Sequence, residues 1–179
     1  MTLLDILTYP DRSLRIKADP VEKVDAGIKQ IIEDMAETMY NAPGMGLAAV
    51  QVGINKRIII YDISGPEDKP ELEVLINPVI LESEGSVVSE NEGCLSVPDF
   101  RSDVKRSERV KVKALDGNGE PVLLETDGIH ATVLQHEIDH LNGILFIDRI
   151  SGLKREMYKR KVKKQLKNKG SWAGKKQRL

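Results

Sequence analysis

The chain has 179 residues with a formal net charge of −1, and 40% of them are apolar and 31% charged. This composition is typical of a globular domain that buries a core without disulfides, and no apolar run approaches the roughly 18 residues of a membrane span. Cys94 is the single cysteine, which excludes an internal disulfide. Because the N-terminal segment also lacks the pattern of a signal or organelle presequence, we expect a reducing compartment, the cytoplasm, and no membrane association.

Charge is distributed unevenly along the chain. Residues 151–179 contain twelve Lys or Arg and one acid, a net charge of +11, whereas residues 1–150 contain 15 basic and 27 acidic groups, a net charge of −12. This asymmetry predicts a body, residues 1–150, and a basic C-terminal helix and tail, residues 151–179. A polyanionic partner such as nucleic acid is one explanation of the tail, and a solvated helix face that aids solubility is the other.

The first part of the chain predicts one helix followed by short strands. Asp25 can cap a helix that runs to about Asn41, because isoleucine and methionine recur there at helical spacing, and Pro43-Gly44 ends it. The β-branched run Arg57–Ile63 predicts a strand. Further strands are predicted at Val74–Ile76, Val79–Leu81, Val110–Ala114 and Val122–Glu125, the last two joined by a hairpin turn at 116–119.

The remainder of the chain is predicted to be helical. Gly128–Asn142 predicts a helix that Gly143 ends, and a last helix is predicted over Leu153–Leu166. The apolar stripe of this last helix is expected to consist of Leu153, Met157, Val162 and Leu166. The order of elements indicates an α+β fold, with short antiparallel strands packed around a central helix and a basic helix at the C-terminus.

The central helix carries an HExxH motif. Residues four apart share a helix face, so His136 and His140 can bind one metal ion and Glu137 can reach a water molecule beside it. The third ligand decides the chemistry. Proteases with this motif take a Glu or His downstream, but Phe146 stands at the position of that His, and the downstream acids are poorly placed.

A thiolate is the alternative third ligand. Cys94 lies upstream within Glu92–Ser96 (EGCLS), and sulfur is a strong ligand for a borderline or soft divalent metal. A set of two histidines and one cysteine leaves a tetrahedral position for water, which marks a catalytic rather than a structural site. The other interpretation of Cys94 is a small buried apolar residue, the commonest role of a free cysteine.

A glycine-containing segment, Gly44–Gln51 (GMGLAAVQ), follows the first predicted helix. Its glycines allow a ligand to approach the backbone closely. The segment is not a phosphate loop, because it lacks the Gly-Lys-Ser/Thr ending and does not follow a strand. From the residues alone, a tight turn from helix to strand is the simpler interpretation.

Taken together, these segments resemble the peptide deformylase family. The family motif GxGLAAxQ matches Gly44–Gln51, EGCLS matches Glu92–Ser96, and QHExDHLxG matches Gln135–Gly143, all in the family's order. The resemblance covers about residues 4–166. It implies an enzyme that removes the formyl group from the N-terminal methionine of nascent polypeptides and releases formate.

The resemblance also implies a metal site and a proton carrier. Cys94, His136 and His140 match the family's metal ligands, and Glu137 matches its general acid and base. The implied native ion is ferrous iron, with zinc, nickel and cobalt forms also found. Ligand chemistry alone favours zinc, so the expectation of iron comes entirely from the resemblance.

Substrate-binding positions are implied as well. The side chain of Gln51 and the backbone N–H of Leu95 match the groups that bind the formyl oxygen. Gly46 and Arg101 match family positions near the substrate backbone. The methionine side chain needs an apolar pocket, and the candidates for it, with plain core packing as the alternative, are Met45, Ile129 and Val133.

The basic C-terminal helix is similar in position and charge to the helix by which family members of this type dock on the ribosome near the exit tunnel. Phosphate contacts and counterion release suit such a segment to an rRNA-rich surface. The chain is expected to be a monomer.

Two alternative functions stay open. A metalloprotease is disfavoured by Phe146, and a metal-stabilised RNA- or ribosome-binding module without catalysis is disfavoured by Glu137 and Gln51, which such a module does not need.

Overall fold

A computed structural model describes residues 2–65 and 68–173 of the chain. The helices and strands of these residues are, in chain order, α1 (Ala26–Asn41), β1 (Gly46–Ala48), β2 (Ile58–Tyr61), β3 (Glu73–Glu84), β4 (Val87–Cys94), β5 (Val97–Arg106), β6 (Arg109–Leu115), β7 (Pro121–Asp127), α2 (Gly128–Leu141) and α3 (Gly152–Ala173). The predicted α+β class is confirmed. None of the described helices combines the length and apolarity needed to cross a membrane. The end of the predicted basic tail, residues 174–179, lies outside the described residues.

Five strands form one antiparallel sheet in the order β1-β2-β3-β6-β7, and β4 and β5 pair with each other as a separate antiparallel ribbon. Strand β2 is buried on both faces. Alternate side chains point to opposite faces, so Ile59 and Tyr61 pack in the cluster formed with α2, while Ile58 and Ile60 pack in the cluster formed with α1. The five-stranded sheet therefore lies between these two helices.

Helix α1 begins where the sequence predicts. The Asp25 side chain accepts a hydrogen bond from the backbone N–H of Ile28 at 3.0 Å, as an N-cap residue should. Helix α2 is buried along residues 131–141 and packs against β1, β2 and β7. The polar side chains of the HExxH motif are therefore held inside the protein, where they need partners.

Strand β3 differs from its prediction. It runs unbroken from Glu73 to Glu84, where the sequence predicts two strands separated by Asn77-Pro78. Asn77 adopts a φ of 54°, and its side chain bonds both the N–H and the C=O of Val21 at 2.8 Å. The register shifts at this point, so the strand accommodates an irregularity instead of ending there.

The apolar stripe predicted for the last helix is wrong at three of its four positions. Leu153, Met157 and Leu166 are 74%, 62% and 50% exposed, respectively. Only Val162 is buried, and its partner one turn earlier is Tyr158, whose ring the prediction did not count. Helix α3 packs against the body along one narrow face. The buried side chains of this face are Tyr158 and Val162, which lie four residues apart. These two belong to a third core cluster that includes Val97, Val104, Leu145, Phe146 and, partly buried, Cys94 and Phe100.

Candidate metal centre and substrate cleft

Helix α2 and the end of β4 bring together three side chains that could hold a metal ion. His136 and His140 lie one helical turn apart on α2, and Cys94 is the last residue of β4. The Cys94 Sγ atom is 3.2 Å from Nε2 of His140, and the two Nε2 atoms of the histidines are 3.3 Å apart. All three ligand atoms lie within 4.8 Å of one another.

This arrangement fits a metal ion. Two imidazole nitrogens and a sulfur face one another in the interior, where a shared cation satisfies the lone pairs of all three. One thiolate with two imidazoles is a donor set for a borderline divalent ion such as zinc or ferrous iron. The set supplies three ligands, so a tetrahedral ion would keep one position for water or substrate.

A buried chain of charges orients His136. Its Nδ1 atom is 2.7 Å from Oε1 of Glu92, and Arg106 joins Glu92 to Asp139 through contacts of 2.5 and 2.6 Å. Arg149 completes the chain on the other side of Asp139. Burial alone would raise the pKa of Glu92, but its hydrogen bonds with His136 and Arg106 outweigh burial and lower that pKa to about 2. A carboxylate fixed in this way holds the histidine ring in one orientation.

Glu137 lies beside the ligands and is 4% exposed. Its Oε2 atom has no hydrogen-bond partner among the described residues. Burial raises the pKa of this carboxyl to about 7. The other oxygen, Oε1, would lie only 2.5 Å from a Cβ atom built on Gly46, so the backbone of β1 passes directly against the carboxylate. A buried carboxyl with a free oxygen suits a group that accepts and returns a proton.

The amide of Gln51 is held in one orientation. Its oxygen accepts a hydrogen bond from the N–H of Ala48 at 2.7 Å, and its nitrogen donates to the hydroxyl of Ser96 at 3.1 Å. The same nitrogen lies 3.5 Å from Sγ of Cys94. The amide nitrogen of Gln51 therefore lies between Ser96 and Cys94, where the turn from β1 into a short 3-10 helix places it.

These residues border a cleft of about 830 Å³. Every position predicted to bind the substrate lies along it, namely Gly46, Met45, Arg101, Ile129 and Val133, together with Gln51, Leu95 and Glu137. Cys94 and His136 line the cleft, whereas His140 is not among its lining residues and is 1% exposed. Met45 and Ile129 are about half exposed, so their side chains stand at the rim.

Sequence reasoning missed several lining residues. Thr132 and Phe100 both line the cleft but belong to no motif. Helical spacing from His136 could have found Thr132, which lies four residues before it on α2. Nothing in the local sequence points to Phe100. The third histidine, His130, takes no part in the cluster, since its Nε2 atom is 3.0 Å from the hydroxyl of the buried Tyr61.

An α+β fold that encloses a Cys-His-His ligand set beside a buried glutamate is typical of a metal-dependent hydrolase. Comparisons with known proteins make the class specific. The sequence model of the polypeptide deformylase family matches residues 3–156. A peptide deformylase of Desulfosudis oleivorans is 53% identical over 167 residues, which are 93% of this chain and 96% of that protein. A peptide deformylase of Thermodesulfovibrio yellowstonii is 52% identical over 163 residues, 91% of this chain and 98% of that protein.

Solved structures give the same result. A crystal structure of a peptide deformylase from Legionella pneumophila superimposes with a TM-score of 0.85 at 46% identity, covering 94% of this chain and 98% of that one. The chain belongs to the polypeptide deformylase family. It is a metal-dependent hydrolase that removes the N-formyl group from nascent peptides.

Proposed function

We propose that Cys94, His136 and His140 bind one divalent metal ion, and that this ion is ferrous iron in the cell. The observation that carries the metal site is the convergence of the three ligand atoms within 4.8 Å. The choice of iron is supported by the family resemblance, and zinc, nickel or cobalt would substitute in the same donor set. When bound, the ion supplies Lewis acidity to the formyl carbonyl and to a water molecule.

Glu137 is the proton carrier of the proposed reaction. Its carboxylate accepts a proton as water attacks the formyl carbon, and the same oxygen then delivers a proton to the departing amine of methionine. Two observations support this role: the position is buried beside His136, and Oε2 has no hydrogen-bond partner in the part of the chain that the structure describes. Formate and a free α-amine are the products. Glu137 therefore ends each cycle in the protonation state in which it began.

Gln51 and Leu95 hold the formyl oxygen. Negative charge develops on this oxygen as the carbonyl becomes tetrahedral, and fixed N–H donors stabilise that charge without reorganisation. The Gln51 amide is already fixed by Ala48 and Ser96, with its nitrogen 3.5 Å from Sγ of Cys94. We assign the second donor to the backbone N–H of Leu95, which follows the ligand Cys94 and lines the cleft.

The lining of the cleft suggests how the substrate is recognised. We assign Gly46 and Arg101 to the peptide backbone, and the apolar pocket for the methionine side chain to Met45, Ile129 and Val133, all of which line the cleft. A formyl carbon carries only a hydrogen, whereas an acetyl carbon carries a methyl group. The close approach of Gly46 to Glu137 leaves little room beside the carboxylate, so we propose that bulkier acyl groups are excluded here.

A Glu137→Gln variant tests the assignment of the proton carrier. The amide has nearly the shape of the carboxylate but cannot accept the proton. We expect equimolar metal binding with formate release reduced at least about a hundredfold, the usual contribution of a general base. A Cys94→Ala variant is the matched comparison, because it should lose the metal itself. Full formate release by the Glu137→Gln protein would contradict the proposal.

The basic segment is proposed to dock on the ribosome near the exit tunnel, where nascent peptides emerge. Its net charge of +11 and the exposed basic face of α3 support a surface rich in phosphate groups. We keep residues 1–150 as the catalytic unit and 151–179 as the docking unit. This boundary separates two proposed functions and does not separate two independently packed domains, because Tyr158 and Val162 pack into the core of the catalytic unit.

Charge reversal tests docking without disturbing this packing. Lys163 and Lys164 are exposed, and we expect the double change to Glu to weaken cosedimentation with ribosomes and to reduce its salt dependence. Formate release from a short free peptide should be unchanged. The control is the same change to Glu at Lys17 and Lys29, which are exposed on the catalytic unit. Equal ribosome affinity for the two double variants would contradict docking through α3.

Location and assembly are proposed on the same basis. A substrate that emerges at the ribosome favours the cytoplasm. A single cysteine that is itself a proposed metal ligand favours a reducing compartment. We propose that the chain acts as a monomer. Light scattering on the purified protein should then give the 20.0 kDa of one chain, and a mass twice as large would contradict this.

A further inference from the structure

One wall of the cleft has little support from its own sheet. Two successive paired positions of β4 and β5 are Cys94 with Val97 and Glu92 with Ser102. Between these pairs β4 contributes only Gly93, whereas β5 contributes residues 98–101, which we call the wall segment. The wall segment therefore bulges out of the hydrogen-bonded ladder. Its second residue, Asp99, has a φ of 57°, in the left-handed region that an extended strand does not use.

Helix α3 supplies the missing support. The Lys161 ammonium group donates a hydrogen bond to the carbonyl of Asp99 at 3.0 Å, and the Tyr158 hydroxyl donates to the carbonyl of Pro98 at 3.5 Å. Lys154 donates to the hydroxyl of Ser102, just past the wall segment, at 3.2 Å. Residues 154, 158 and 161 are spaced four and three apart, so one face of α3 makes all three bonds.

Aromatic rings hold the same segment from behind. The ring of Phe100 lies 4.8 Å from that of Tyr158 and stacks at 6.0 Å on that of Phe146. Phe146 in turn stacks on His136, with ring centroids 6.2 Å apart. The inner face of α3 is therefore connected to the cleft and, through two further rings, to a proposed metal ligand.

The next residue of the wall segment faces the substrate side. Arg101 lines the cleft beside Phe100, and its guanidinium group lies over Gly93, 3.3 Å from where a Cβ atom would be. It also donates to the carbonyl of Asn91 at 3.3 Å. The wall segment that carries Arg101 has no paired position with β4. The position of Arg101 therefore depends on the contacts that fix Pro98 and Asp99.

We infer that α3 is a positioning element of the substrate cleft, in which Lys161 and Tyr158 hold the wall segment and so place Arg101 along the bound peptide. This inference rests on the proposed substrate cleft. It adds a second role to the basic segment, since the inner face of α3 shapes the cleft while its outer face carries the docking charges. Lys161 and Tyr158 act through the wall segment and do not touch the reacting atoms.

Replacement of Lys161 by Met tests the inference. With formyl-Met-Ala-Ser as substrate, we expect KM to rise about fivefold with little change in kcat or metal content, because one hydrogen bond to the wall segment is lost. Lys161→Arg should restore the parent KM, since a guanidinium can donate to the same carbonyl. Lys105→Met is the control, because it removes a positive charge from an exposed position of β5 outside the wall segment.

A second pair of variants separates positioning from stability. Tyr158→Ala and Val162→Ala each truncate a buried side chain of the third core cluster, and both should lower Tm. Only Tyr158→Ala should also raise KM. An unchanged KM in Lys161→Met, or equal KM values in the two truncations, would overturn the inference while the parent remains active. A parent chain that releases no formate would overturn the proposed function, and this inference with it.

Discussion

A methyl group at Gly46 should disable the proton carrier while leaving the fold intact. A Cβ atom at this position would lie 2.5 Å from Oε1 of Glu137 and 2.9 Å from its Cδ. Relief to an ordinary contact of about 3.4 Å moves the carboxylate by about 0.9 Å. Misplacement of a catalytic group by about 1 Å costs on the order of a hundredfold in rate. We therefore expect Gly46→Ala to lower kcat/KM about a hundredfold.

Formate release from a formyl-methionyl peptide measures this effect. Gly117→Ala is the control, because a Cβ atom there meets Val74 at an ordinary 3.6 Å. Circular dichroism and metal content should match the parent in both variants. The combined Gly46→Ala and Glu137→Gln change should lose little beyond Glu137→Gln alone, since both act on one carboxylate. Parent-like kcat/KM in Gly46→Ala would refute the placement of Glu137 against β1.

Two further carboxylates and a glycine give measurable effects. Glu92→Gln should weaken metal binding about tenfold in a chelator competition, because His136 loses its charged partner; unchanged affinity would contradict this. Burial alone would raise the pKa of Asp148. Its hydrogen bond with Arg15 outweighs burial and lowers that pKa below the ordinary 3.8. Asp148→Asn should therefore reduce the urea midpoint at pH 7, and the difference should vanish as pH falls through that lowered pKa; a constant difference would refute the pairing. Gly143→Ala should lower the free energy of unfolding by more than about 2 kcal/mol. Gly143 has a φ of 72°, and the backbone oxygen of Arg15 would lie 2.5 Å from the new Cβ atom. An unchanged urea midpoint would refute this expectation.

Local rules predict much of the fold. The cap at Asp25, the apolar spacing of α1, the extent of α2 and the turn between β6 and β7 all appear in the structure where the sequence places them. These features depend on neighbouring residues alone. Prediction fails where distant residues decide the outcome, as at Asn77, whose left-handed conformation is held by Val21 across the fold.

The ribbon of β4 and β5 was not predicted. The segment Val87–Cys94 is largely polar and has exposed and half-buried residues on both faces, so it shows no apolar alternation. Its pairing is irregular as well, which removes the period that a strand prediction needs. The apolar stripe of α3 failed for a related reason, because α3 packs through Tyr158 and Val162, and a spacing argument without the body could not choose between faces.

The candidate site was predictable to a different extent. Helical spacing alone pairs His136 with His140, and the structure places their Nε2 atoms 3.3 Å apart. Spacing could not choose Cys94, because it lies 42 positions before His136 and only the fold joins them. Phe100 and the wall segment belong to no motif, and their place in the cleft depends on contacts with α3.

Formate release by anaerobically purified protein loaded with ferrous iron is the most direct test of the central claim. Formyl-Met-Ala is the substrate, acetyl-Met-Ala is the comparison, and Glu137→Gln is the control variant. We expect rapid release of formate by the parent chain, loss of that release in the variant, and no hydrolysis of the acetyl peptide. Release of acetate at a similar rate would contradict selection of the formyl group, and no formate from folded, iron-loaded protein would contradict the proposed catalytic site.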